Sequence, residues 1–135
     1  HHKVSCITLR PMSKDEDRAE GRKGIERGLK RGSLELIVLH LLAPGEAYGY
    51  EIVSKLAAET NGALEVTDGT LYPVLYRLER AGCVSVRWET PQRGVPRKYY
   101  QLTDTGRAEL AALTLEWTTF ARAMAKLLRP GRDAR

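Results

Sequence analysis

Residues 68–89 read DGTLYPVLYRLERAGCVSVRWE, and the hydrophobic period changes inside them. From Asp68 to Ala81 the residues Leu71, Val74, Leu75 and Leu78 fall at i, i+3, i+4 and i+7, one face of an α-helix. Gly82 closes that helix. From Val84 the period drops to two. Val84, Val86 and Trp88 alternate with Ser85, Arg87 and Glu89, which predicts a half-buried strand. Thr90 to Pro96 (TPQRGVP) is a turn rich in breakers. Arg97 to Leu102 then reads as a second strand with Tyr100 and Leu102 on one face, so the two strands make a hairpin.

Upstream, Ser33 is a candidate N-cap. Leu34, Ile37, Val38, Leu41 and Leu42 follow at helical spacing, and Leu36 and Leu39 widen the stripe, which predicts a central helix ended by Pro44-Gly45. A second helix is expected from about Ala47 to Thr60, with Ile52, Val53 and Leu56 inward and Asn61-Gly62 as its stop. Downstream, Thr103 caps a long final helix that reaches about Leu128, and Pro130-Gly131 end it. Three helices followed by a hairpin, in about 70 residues, is the order of a winged helix-turn-helix. The fold class is therefore mainly α with a small β-hairpin, a winged helix-turn-helix carrying a long C-terminal helix. Residues 1–31 form a charged N-terminal arm, 32–102 the winged domain, 103–129 the C-terminal dimerisation helix and 130–135 a tail.

The composition agrees with a globular chain. Hydrophobic residues make 42% and charged residues 29% of 135, with a formal net charge of +5 that favours an anionic partner, most simply nucleic acid. Cys6 and Cys83 lie far apart and form no paired-spacing motif, which suggests reduced thiols and not a disulfide framework. No apolar run approaches the roughly 20 residues needed to span a bilayer, and the first residues lack the apolar stretch of a signal peptide, so a cytoplasmic protein is expected. His1 and His2 are candidate tag residues and Met12 a candidate start. The arm that follows is dense in charge, with Arg22, Lys23, Arg27, Lys30 and Arg31 toward its end. It reads either as a basic arm touching phosphates or as a solvated tail.

In a helix-turn-helix the last helix of the trio enters the major groove. With its leucines inward, the 68–81 helix turns Gly69, Pro73, Tyr76 and Arg80 outward, flanked by Thr70, Tyr72 and Arg77. Thr and Tyr hydroxyls bond phosphates or base edges, Arg pairs with phosphate or guanine, and Pro and Tyr offer apolar surface to a thymine methyl. Pro73 leaves two starts open. With Thr67 as cap it removes an internal hydrogen bond, whereas with Thr70 as cap its missing amide costs little. The wing adds Arg93, Arg97 and Lys98 around Gly94 and Pro96, suited to a second phosphate or minor-groove contact.

Along the last helix Leu110, Leu113, Trp117, Phe120, Met124 and Leu127 alternate steps of three and four, an a/d seam. A lone projecting helix does not leave Trp, Phe and Met in water, so it either folds back on its own domain or pairs with another copy. Pairing with a second copy would make a homodimer and present two reading helices to pseudo-palindromic double-stranded DNA, with half-sites about one helical turn apart.

RGSLELIVLHLL, YGYEI, GTLYPVLYRLERAG and RKYYQLT followed by Gly106 together resemble the PadR family of bacterial regulators, from about Arg31 to the end of the last helix. GTLYP followed by YRLE is the most specific block. The resemblance implies a dimeric DNA-binding repressor released by a small molecule, with DNA contacts at Thr70, Tyr72, Pro73, Tyr76 and the wing. One long helix after the wing is similar to the short branch of the family. In some relatives a tryptophan on that helix lines an aromatic-binding cavity at the dimer interface, and Trp117 matches it by position, which implies a small aromatic effector. The chain departs from the family pattern in its long charged arm and in Gly94-Val95-Pro96, which replaces a more glycine-rich wing tip.

An enzyme is disfavoured. There is no phosphate-binding glycine loop, no metal-ligand spacing, no cofactor motif and no catalytic triad set around His40, the one internal histidine. His40 and Cys83 read as packed core residues, with neither a metal nor a redox role. The remaining rival is a winged-helix module that binds protein without reading DNA. Arg77, Arg80, Arg93, Arg97 and Lys98 argue against it.

Overall fold

The computed structural model describes residues 13–15, 18 and 33–131. The chain divides into two units, His1–Arg31 and Gly32–Arg135. In the first, Lys14, Asp15 and Arg18 are helical, and Arg18 lies 3.8 Å from Asp15 in an exposed ion pair. The basic end of the arm, Arg22 to Arg31, lies outside the described residues, as do 132–135.

The second unit runs α1 (Leu34–Leu42), β1 (Ala47–Tyr48), α2 (Gly49–Glu59), α3 (Asp68–Arg80), β2 (Val84–Glu89), β3 (Arg97–Leu102) and α4 (Asp104–Leu127). The strands form one antiparallel sheet in the order β1-β3-β2. The fold is mainly α with a small sheet, as the periods predict. The core is one cluster: Val38, Leu39, Leu41 and Leu42 of α1, Ile52 and Leu56 of α2, the α3 stripe Leu71, Val74, Leu75 and Leu78, and Ala47, Cys83, Val84, Tyr100 and Leu102 of the sheet and its entry.

Four local expectations are corrected. The second helix starts at Gly49, because Ala47 and Tyr48 pair with Tyr100 and Tyr99 of β3 as a third strand. The Tyr48 amide donates to Glu51 Oε1 at 3.1 Å and closes the helix start. Ser33 makes no side-chain cap and instead accepts from Trp117 Nε1 at 3.3 Å. His40 is not in the core: its side chain is exposed and lies 3.6 Å from Glu59. Trp88 is 60% exposed, since the core beneath the sheet ends with the Val86–Tyr100 pair.

The cap alternatives at Pro73 resolve in favour of Thr67, whose extended backbone precedes Asp68 and whose carbonyl accepts from Leu71 at 2.8 Å. Pro73 therefore stands inside α3, and the Gly69 carbonyl loses its i+4 donor. At the other end Gly82, at φ 78°, forms a Schellman turn: Cys83 N donates to Leu78 O at 2.9 Å and Gly82 N to Glu79 O at 3.0 Å. That turn sends the chain from α3 straight into β2. Thr103 then caps α4 by accepting from Gly106 N at 3.0 Å, while its own hydroxyl donates to Gly82 O at 2.6 Å. The start of α4 is thus tied to the joint between α3 and β2.

Candidate nucleic-acid interface

Burying Leu71, Val74, Leu75 and Leu78 fixes the rotation of α3, because each residue advances about 100° around the axis. Gly69, Pro73, Tyr76 and Arg80 consequently face away from the core, and all four are exposed. Tyr76 is 58% exposed and accepts a hydrogen bond from Arg80 Nη1 at 3.1 Å. The guanidinium also lies 5.7 Å from the Tyr76 ring centroid, so ring and cation form one unit on the surface. Thr70 is exposed at the tip of α3, where its hydroxyl accepts from Thr67 Oγ1 at 3.3 Å. Tyr72 is half exposed and leans over the start of α2, where a Cβ on Gly49 would stand 2.2 Å from its hydroxyl.

Arg77, Lys98, Arg97 and Arg87 are held by partners remote in sequence. Arg77 gives Nε and Nη2 to Glu35 Oε2 at 3.0 and 2.8 Å, which braces α3 against α1. Lys98 reaches Glu79 at 3.5 Å and braces the wing against α3. Arg97 stacks over Tyr48, 4.7 Å from its centroid, on the outer face of the sheet. Beside it Arg87 stacks over Tyr99 at 4.6 Å and binds Glu46. The Arg87 guanidinium holds the Glu46 carboxyl below its usual range, and Glu46 in turn raises Arg87. Burial pushes the Tyr100 phenol up, so it stays protonated. Arg93 is exposed in the wing loop, and neither it nor Arg80 forms an ion pair among the described residues.

Three exposed or space-limited residues escape a reading of period alone. Gly49 makes room for Tyr72, Tyr50 is 70% exposed on the first turn of α2, and Trp88 stands out from the wing. The glycine between two tyrosines in YGYEI is the one signal of the first two.

On α4 the seam divides. Leu110 and Leu113 pack against the core of their own domain. Trp117, Phe120 and Leu127 are 46%, 60% and 56% exposed, and Met124 is half-buried. Leu36, Leu113, Glu116, Trp117 and Phe120 line a recess of about 190 Å³. That is smaller than the roughly 300 Å³ at which ligand pockets begin. Among the described residues no helix is long and apolar enough to cross a membrane, and no group of three His, Cys, Asp or Glu could hold a metal ion.

Residues 38–112 match the family described as transcriptional regulator PadR-like. The chain is 37% identical over 87 residues to an uncharacterised protein of Lysinibacillus sphaericus, which covers 64% of this chain and 80% of that one. It is 34% identical over 84 residues to the transcriptional regulator Rv3488 of Mycobacterium tuberculosis, covering 62% and 75%. Among solved structures, a PadR family transcriptional regulator from Eggerthella lenta superposes with a TM-score of 0.71 at 32% identity, covering 84% of this chain and 97% of that one.

Proposed function

The chain belongs to the transcriptional regulator PadR-like family, and from that premise we propose that it is a homodimeric, sequence-specific DNA-binding repressor acting in the cytoplasm. The observation that carries the reading is the rotation of α3. Its leucines are sealed in the core while Gly69, Pro73, Tyr76 and Arg80 stand together in solvent. That strip combines apolar surface, a hydroxyl and a cation, the chemistry that base edges and phosphates accept. Thr70 and Tyr72 flank it at the helix tip. Arg93 and Arg97 of the wing supply the outer phosphate contacts, and Arg77 and Lys98 serve chiefly to hold α3 and the wing in place through Glu35 and Glu79.

The dimer rests on Trp117, Phe120, Met124 and Leu127, the seam positions that their own domain leaves uncovered, with Leu110 and Leu113 anchoring the helix that carries them. A recess of about 190 Å³ beside Trp117 is too small in one protomer for a drug-sized ligand, so a small aromatic effector would bind where a second copy completes it. Release from DNA would follow if the ligand shifts the two α4 helices and with them the two α3 helices.

The test is the binding of a dye-labelled mixed-sequence duplex, followed by anisotropy at two salt concentrations. Affinity falls steeply with salt if Arg and Lys displace counterions from phosphates. Tyr76→Ala binds roughly tenfold more weakly and keeps its helical circular dichroism. Affinity that does not change with salt, or that Tyr76→Ala leaves untouched, contradicts the reading.

A further inference from the structure

We propose that Trp88 is a DNA contact, its indole packing against the sugar–phosphate strand that borders the groove entered by α3; this rests on the DNA-binding reading above. Successive pairs of the β2–β3 ladder that share the inner face are Val84 with Leu102, Val86 with Tyr100, and Trp88 with Lys98. The first two pairs are the floor of the core. The third lies past its edge, so Trp88 points to the α3 side of the sheet and yet is 60% exposed.

The ring is held there by its neighbours. Lys98 Nζ lies 5.8 Å from the Trp88 ring and 5.5 Å from the Tyr100 ring, and 3.5 Å from Glu79 of α3. Glu79 is next to Arg80 in sequence and lies on the flank of α3 that adjoins the exposed Tyr76–Arg80 strip. A duplex seated on that strip passes its near backbone between α3 and the wing, along the edge that Trp88 occupies. Glu79 neutralises Lys98, so the cation at this edge is spent within the protein and the exposed group left to meet the strand is the indole. Its face suits the apolar side of a deoxyribose, and Nε1–H can donate to a phosphate oxygen. Arg80 of α3 and Arg93 of the wing, both exposed, supply the complementary charge.

The chain has two tryptophans, Trp88 and Trp117, so 5-fluorotryptophan labelling gives two ¹⁹F resonances that Trp88→Phe assigns. The labelled protein is titrated with a mixed-sequence duplex of about three helical turns at low salt, and anisotropy of a dye on the same duplex registers binding independently. On binding, the Trp88 resonance moves and its H₂O/D₂O solvent-isotope shift shrinks as the ring leaves water. Trp88→Ala weakens binding roughly tenfold without loss of helical circular dichroism, because the ring contributes little to the core. Binding with an unchanged Trp88 solvent-isotope shift overturns the contact and leaves the DNA-binding reading standing. No binding of the duplex at low salt overturns both.

Discussion

At Gly106 a Cβ would stand 2.0 Å from the carbonyl oxygen of Cys83 and 3.2 Å from Leu102. The carbonyl belongs to backbone that cannot swing aside, since Cys83 closes the Schellman turn and its oxygen accepts from Thr103 N at 3.1 Å. Gly106→Ala is therefore expected to destabilise the fold by about 3 kcal/mol, measured by urea denaturation, because the first turn of α4 must back away from the core. Cys83 itself is buried, which pushes its thiol up, with Glu109 adding to the effect, and it acts as a small apolar group there. At this scale the sequence is informative about exposure and silent about partners. The outward aim of Tyr76 and Arg80 follows from helical spacing alone. That Arg77 is committed to Glu35 does not, because the two are 42 positions apart. The need for glycine at 49 and 106 is equally hidden, since what excludes a side chain is a distant tyrosine ring in one case and a distant carbonyl in the other.

Among the elements, α4 packs one part of its seam on the core and leaves the rest exposed. Its first turns join the core through Leu110 and Leu113, and the helix carries the rest of the stripe on to Leu127, about 21 Å farther along the axis. Trp117→Glu is expected to abolish pairing, because a carboxylate would be buried in the interface, while the fold survives the change of a half-exposed side chain. Light scattering should give twice the 15.1 kDa chain mass for the wild type and a single chain mass for the variant. The hairpin strands Val84–Glu89 and Arg97–Leu102 match the residues that period-two alternation marks out. Strand β1 was not legible, because two residues show no period, and Ala47-Tyr48 next to a helical stretch reads as its first turn. Alternation also placed Trp88 with Val84 and Val86 correctly by face but not by depth, since a strand can outrun the core it covers.

For the whole molecule, the order of helices, hairpin and final helix is what composition and period predict, and the PadR-like family match over residues 38–112 agrees with it. Burial of one face of α3 leaves the opposite face, with Gly69, Pro73, Tyr76 and Arg80, in solvent. Two such faces, related by the two-fold axis that pairing through α4 would impose, should meet the same duplex one helical turn apart. Selection of bound duplexes from a random-sequence pool tests that arrangement directly. The account predicts enriched sites made of two inverted half-sites with centres about 10 base pairs apart. Recovery of no common sequence, or of a single unrepeated half-site, would contradict it.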